Sequence, residues 1–316
     1  NSEDEGVATV SCAGGLRVQF TKEIQRTTVQ GSLLTLKVEG LLGGHSGQDI
    51  DKERQNADLL MARMIQRLLK ETKGQLVSFN GGTKDNAIPR ECEASLIYES
   101  DEEAAKAEEL ACELAETYAE ELTPAEPDFS CEISCETNRT AEAIPQDAAK
   151  EFICAMRLAP NGIQKRNIKM DGFVVVSLNL GVVRTEEDRI VMIFSPRSSV
   201  ASLQEDTKER LNTLAETFGF TVSHSSEYPG WSFKEDSPVR EICKESYKEL
   251  FGEDLKIEAI HAGLECGLFS DAIKGLDAIA IGPTIANCHT PDEYLTLDSF
   301  ERFYEFLKDI LSRLAK

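Results

Sequence analysis

Only four histidines occur in the 316 residues, so each can be weighed as a centre of chemistry. His289 stands in N-C-H-T-P-D-E, beyond a strand-like run and a G-P-T-I-A-N-C loop. A neutral imidazole there can ligate zinc while a nearby carboxylate holds its other ring nitrogen, although an ordinary hydrogen-bonding loop histidine is the commoner use of such a residue. His45 lies in G-G-H-S-G, ahead of a helix, where the flanking glycines let the backbone approach a ligand closely. It can donate to a developing oxyanion, or simply mark a helix entry. His261 opens H-A-G-L-E-C-G, in which Glu265 can receive a substrate ammonium or cap a short helix. His224, at a Ser-rich strand end, is assigned nothing. Cys131 and Cys135 have a spacing that could suggest a metal knuckle, but alternation on a strand explains it and no second pair follows.

The elements that must position these residues are legible from periodicity. V-A-T-V is a short strand-like run, with a Gly-Gly break at Gly14 and Gly15. L-R-V-Q-F and S-L-L-T-L-K-V-E-G read as strands, and Ala57, Leu60, Met61, Met64, Ile65, Leu68 and Leu69 then recur at helical spacing. Lys70 and Lys73 suit that helix's C-terminus and Gly74 its cap. Q-L-V-S-F-N and C-E-A-S-L-I-Y flank G-G-T-K-D-N-A-I-P-R, which places Asn86 on a connection between strands. An acidic amphipathic helix over 101–121 and the strand F-S-C-E-I-S-C-E complete the ferredoxin-like order of strand, helix, strand, strand, helix, strand. A second round follows: a helix near 147–157, two apolar strands, a helix near 200–218 and F-T-V-S-H-S. Both rounds would lay helices on one face of an antiparallel sheet.

At Y-P-G-W, ending on Trp231, the pattern changes. Ser237 and Pro238 open a helix that Gly252 ends. K-I-E-A-I-H-A-G and L-D-A-I-A-I-G-P read as strands around a short helix, and Phe303, Phe306, Leu307, Ile310, Leu311 and Leu314 define a final one. This βαβ grammar implies a mixed or parallel sheet, whose sites lie beyond the carboxyl ends of strands.

The chain carries 34 basic and 56 acidic residues, a formal charge of -22, which argues against nucleic acid or an anionic membrane as partner. Nine cysteines without framework spacing suit reduced thiols in a cytoplasmic protein. No apolar run approaches the roughly twenty residues of a membrane helix, and no signal peptide is visible. The opening N-S-E-D-E-G lacks an initiator Met and reads as a cut in mid-domain, or as a processed or engineered end.

Six motifs fall in one family's order: G-G-H-S-G-Q-D-I, G-G-T-K-D-N-A-I-P-R-E, F-S-P-R-S-S-V, Y-P-G-W, I-H-A-G-L-E-C-G-L-F and I-G-P-T-I-A-N-C-H-T-P-D-E. Together, over nearly the whole chain, they resemble the aminoacyl-histidine dipeptidases, within the superfamily of zinc aminoacylases, carnosinases and related exopeptidases. The resemblance implies an α/β and α+β fold, the second half of a catalytic domain with an inserted lid of ferredoxin-like antiparallel sheet and helices. Residues 1–15 would end the N-terminal part of the catalytic domain, 16–228 form the lid and dimerisation domain, and 229–316 complete the catalytic domain. It further implies that His289 ligates one metal of a two-zinc site, where cobalt and manganese are also tolerated. His45 would stabilise the tetrahedral intermediate, often across a homodimer interface. Asn86 and Arg197 would hold substrate, Arg197 as a fork on the free carboxylate, and His261, Gly263 and Glu265 would wall the pocket.

Two departures qualify this expectation. The family's H-x-D motif, bridging Asp and Glu-Glu pair have no counterpart here, and Asn1 stands where the family places an Asp ligand before its S-E-x-E-G run. The implied function is therefore a fragment of a metal-dependent dipeptidase that hydrolyses small Xaa-His peptides with a two-zinc activated water, inactive on its own. The alternative is a non-catalytic binding or dimerisation module that retains the lid fold.

Overall fold

The computed structural model describes residues 4–168, 172–287 and 291–315. The chain runs through β1 (Val7–Cys12), β2 (Gly14–Glu23), β3 (Thr27–Glu39), β4 (Gly44–His45), α1 (Ala57–Glu71), β5 (Gln75–Gly81), β6 (Ala87–Ile88), β7 (Cys92–Tyr98), α2 (Asp101–Leu122) and β8 (Ser130–Ala143). Next come α3 (Gln146–Leu158), β9 (Gly162–Arg166), β10 (Val174–Thr185), β11 (Arg189–Ser198), α4 (Ala201–Thr217) and β12 (Thr221–Tyr228). The last elements are α5 (Pro238–Phe251), β13 (Lys256–Ile260), α6 (Glu265–Ala272), β14 (Ile285–Ala286), β15 (Tyr294–Leu295) and α7 (Leu297–Leu314).

Nine strands form one sheet in the order β12-β2-β11-β10-β5-β7-β3-β8, with β9 paired to β10. Every pairing in it is antiparallel. The ferredoxin-like arrangement occurs twice. One half uses β3, α1, β5, β7, α2 and β8; the other uses β2, α3, β10, β11, α4 and β12, with the same neighbour relationships. Its first strand is β2, so the first half is inserted between a strand and the helix that follows it in the motif. That insertion is why the second round reads as lacking a first strand. The halves meet where Val183 of β10 pairs with Gly81 of β5, and the Arg184 guanidinium donates to the carbonyls of Gly81 and Gly82 across the seam.

The period-two pattern of β3 turns Leu34, Leu36 and Val38 into the core, where α1, α2, α3 and α4 all contribute to one continuous cluster. Phe20 meets Phe194 at 4.8 Å and Phe79 meets Phe152 edge-on at 5.4 Å, linking both halves of the sheet to that core. The start of α1 is set by Asn56, whose side chain accepts from the amides of Asp58 and Leu59.

The smaller layer pairs β1 with β13 in parallel, and α5 and α7 pack together through Tyr247 and Phe306, edge-on at 5.2 Å. Ser237 caps α5 by accepting from the Arg240 amide, and Gly252 ends it in the left-handed region. No helix among the described residues is long and apolar enough to cross a membrane.

Three local expectations are corrected. Gly14 and Gly15 do not break the chain; they begin β2, because a Cβ on Gly14 would sit 2.4 Å from the Gly230 amide nitrogen, and one on Gly15 would sit 2.7 Å from the Tyr228 hydroxyl. The cap of α1 is Thr72 rather than Gly74, with the Thr72 hydroxyl donating to the Leu68 carbonyl at 2.7 Å. The run L-D-A-I-A-I-G-P is not a strand: Ala280 alone bridges Thr9, and Pro283 then offers no N–H to extend a ladder.

Candidate functional site

The site residues gather at one end of the large sheet, where the chain passes to the smaller layer. In the β10–β11 register Ser177 lies opposite Arg197, and in the β11–β2 register Arg197 lies opposite Gly15. From the other layer, the Ala13 amide donates to the carbonyls of Ile260 and Ala262, bringing the H-A-G-L-E-C-G loop onto this end.

Arg197 is 6% exposed, although it carries a full charge. Its Nη1 donates to the Tyr228 hydroxyl at 2.8 Å, its Nε is buried without a hydrogen-bond partner, and no ion pair to it is formed among the described residues. A buried guanidinium without a counter-ion is costly, and pairing with a carboxylate would offset that cost. Gly263 supports the arrangement: a Cβ there would lie 2.9 Å from the Tyr228 ring, which is held between Gly15 and Gly263.

His45 is carried by β4, which pairs with β6 so that His45 faces Ala87. Its amide donates to Asp49 Oδ2 at 2.7 Å, while the ring Nδ1 accepts from the amides of Gln48 at 3.0 Å and Gly47 at 3.3 Å. With Nδ1 committed as acceptor, the proton of the neutral ring belongs on Nε2, which is then a donor. Burial first, and the Arg197 guanidinium second, push the imidazole below its ordinary range, against the pull of Asp49.

His261 lies on the far side of Gly47. A Cβ on Gly47 would be 2.3 Å from the His261 carbonyl, 3.1 Å from His45 Cε1 and 3.3 Å from Arg197 Nε, so Gly47 is the point at which the three residues converge. The His261 ring is 8% exposed, and its Nε2 is 2.7 Å from the Ser177 hydroxyl. Burial, then Arg197, lowers this imidazole to about 3. Both rings are therefore neutral at physiological pH, and Arg197 supplies the positive charge of the group. A cavity of about 510 Å³ reaches Gly47 and His261 and is lined also by Gln48, Val174 and Ile260, with neither Arg197 nor His45 in its wall.

Asn86 is exposed, one residue before the β6 position that pairs with His45, and its carbonyl accepts from the Ser46 amide at 2.9 Å. Its turn is tied to β10 by the Asn179 side chain, which donates to the Ala87 carbonyl at 2.8 Å. Glu265 is the exposed first residue of α6 and does not act as its N-cap, a position held by Leu264; no hydrogen bond or ion pair joins Glu265 to the group among the described residues. His289 and Asn1 lie outside the described residues. Among the described residues no group of three or more His, Cys, Asp and Glu side chains could hold a metal.

Sequence reasoning gave no role to Tyr228, Ser177 or Asp49. Ser177 had a visible signal, a polar residue inside the apolar run V-V-V-S-L-N-L. Tyr228 stood in a quoted motif, but its pairing with Arg197 is set by the register of β12 and β11 on either side of β2.

Comparison with known proteins gives the chain's family. The cytosol non-specific dipeptidase of Escherichia coli K12 is 32% identical over 320 residues, covering 99% of this chain and 65% of the relative. A crystal structure of aminoacylhistidine dipeptidase from Vibrio alginolyticus superposes with a TM-score of 0.93 at 33% identity, covering 99% of this chain and 64% of that one. The chain thus spans just under two thirds of the length of each. Residues 73–313 match the description "Peptidase family M20/M25/M40". On that match, the chain belongs to peptidase family M20/M25/M40.

Proposed function

We propose that this chain forms the carboxylate-binding and carbonyl-polarising wall of a metal-dependent dipeptidase acting on small peptides of the Xaa-His type. The observation that carries the reading is the buried Arg197, without an ionic partner, beside a neutral His45 whose Nε2 is the donor. Arg197 holds the free C-terminal carboxylate of the peptide through its fork. His45 Nε2–H donates to the scissile carbonyl oxygen and strengthens that bond as negative charge develops there. Asn86 adds amide donors at the rim, His261 and Gly263 wall the pocket, and Glu265 receives the substrate ammonium. Two relatives bear dipeptidase names, which supports the substrate class.

The finer assignments belong to the same proposal. Metal dependence follows the family, with zinc as the metal, His289 as a ligand, and cobalt or manganese as substitutes. Residues 16–228 form a lid that pairs two copies in a homodimer, and the containment of the large sheet between β2 and β12 supports that division. The cytoplasmic placement rests on the cytosol relative and on the eight cysteines that are free among the described residues.

The test compares an Xaa-His dipeptide with its C-terminal amide, using the zinc-loaded gene product that carries this chain. Cleavage of the free acid should exceed that of the amide by roughly 10- to 150-fold, the range for a hydrogen-bonded charge, and Arg197→Ala should abolish the difference. Equal cleavage of both peptides overturns the role of Arg197. Tight binding of the dipeptide without cleavage identifies a binding module instead.

A further inference from the structure

The loop bearing His45 leaves the large sheet after β3 and returns at Asn56, the cap of α1. Its two ends are joined by one side chain distant in sequence. Glu126 Oε2 accepts from the Leu42 amide at 2.7 Å and Oε1 accepts from the Gln55 amide at 2.8 Å, so the two oxygens of a single carboxylate close the loop. Glu126 is 3% exposed and forms no ion pair among the described residues. Its own backbone is fixed in the turn after α2, the amide donating to the Leu122 carbonyl at 2.9 Å and the carbonyl accepting from the Phe129 amide at 3.2 Å. The turn presses against the loop: Gly40 has φ +80°, and a Cβ there would lie 1.9 Å from the Asp128 carbonyl oxygen.

A carboxylate is a poor choice here for stability alone. It is buried, and it stands just past the C-terminus of α2, where the helix dipole disfavours negative charge. What it offers is two acceptor atoms aimed at two backbone donors. A glutamine has one oxygen and would turn an NH₂ group toward one of those donors. Inside the closed loop, Arg54 donates to the Gly43 carbonyl and Asp49 accepts from the His45 amide, which links the imidazole's backbone to the segment between the two ends.

We propose that Glu126 is the positioning residue that holds the His45 loop closed at both ends and thereby places the imidazole beside Arg197. The inference rests on the reading of His45 as the carbonyl-polarising donor. It is tested with Glu126→Gln and Glu126→Asp in the gene product that carries this chain, with two readouts. One is the ¹⁵N resonance of His45 Nδ1, which in the unaltered protein should report an unprotonated nitrogen accepting hydrogen bonds and in Glu126→Gln should show exchange among several environments. The other is steady-state hydrolysis of an Xaa-His dipeptide, where kcat should fall roughly 10- to 100-fold, the cost of a donor displaced by about an ångström, while KM changes little because Arg197 is untouched. Glu126→Asp, which keeps the charge, should recover part of both signals, and it is read in the same way if Glu126→Gln fails to fold. A folded variant with an unchanged His45 resonance and unchanged kcat overturns the proposal. If the unaltered protein cleaves no dipeptide, the functional reading fails, while the resonance still decides whether Glu126 orders the loop.

Discussion

Arg197 Nη1 donates to the Tyr228 hydroxyl at 2.8 Å, and the two residues come from strands that do not touch each other. β11 and β12 flank β2 on opposite sides, and Gly15 of β2 pairs with both Arg197 and Tyr228. The missing Cβ of Gly15 makes the space through which the tyrosine hydroxyl reaches the guanidinium. One end of the Arg197 guanidinium is thereby fixed, while its Nε stays buried without a hydrogen-bond partner.

Removing only the hydroxyl tests this. Tyr228→Phe retains the ring between Gly15 and Gly263 but takes the acceptor from Arg197. KM for an Xaa-His dipeptide should rise about tenfold, within the range for a hydrogen bond to a charged group, with the thermal midpoint nearly unchanged. A KM within twofold of the unaltered protein would show that the hydroxyl does not orient Arg197.

Gly15→Ala should be more damaging than its size suggests. The added methyl would lie 2.7 Å from the Tyr228 hydroxyl and 2.9 Å from Cζ, in a region where both partners are held by a β-ladder. Overpacking of this kind costs about 1–3 kcal/mol. Urea denaturation should show it, and combination with Tyr228→Ala should recover part of the loss by removing the clash.

The seam between the two halves of the sheet predicts a pH dependence. Asp58 is fully buried beneath Gly81, and burial pushes its carboxyl from 3.8 up to about 8, against smaller pulls from the Cys92 thiol and the Arg184 guanidinium. The folded protein thus keeps a proton that the unfolded chain releases near pH 4. The stability contributed by Asp58 is complete below that pH and is lost as pH rises toward about 8, at up to roughly 1.4 kcal/mol per unit. Asp58→Asn should remove this slope, measured as the urea midpoint between pH 7 and 8, outside the titration of His261.

His261 predicts the opposite slope. Its imidazole is held at about 3, below the ordinary 6.5, so the folded state remains neutral while the unfolded chain takes up a proton. The stability conferred by the neutral ring is complete above pH 6.5 and is lost as pH falls toward 3. His261→Gln should flatten the profile between pH 6.5 and 4.5; an unchanged acid limb would show that another group controls it.

Element types were readable because periodicity is local. The alternation in β3, the apolar stripe of α1 and the Ser-Pro to Gly span of α5 each specify an element without reference to the remainder of the chain. The ferredoxin-like order was also readable, but its second copy was incomplete, because β2 and α3 belong together only after the whole first copy has been inserted between them. Gly14 and Gly15 were misread for a related reason: glycine allows a break, and it equally allows a strand to lie against Tyr228 and Gly230, and only the fold distinguishes the two.

For the site, the sequence by itself determined which side chains were available: His45 between glycines, Arg197 in F-S-P-R-S-S, and the glycine-rich loop of His261 and Gly263, all carried by motifs whose order marks the family. Tertiary structure decided what those side chains are. Burial without a counter-ion leaves Arg197 an unpaired charge, two backbone amides fix His45 as an Nε2 donor, and one buried carboxylate at Glu126 joins the ends of the loop that carries it. Charge state, tautomer and placement depend on solvent exclusion and on contacts between residues far apart in the chain, and no local pattern encodes either.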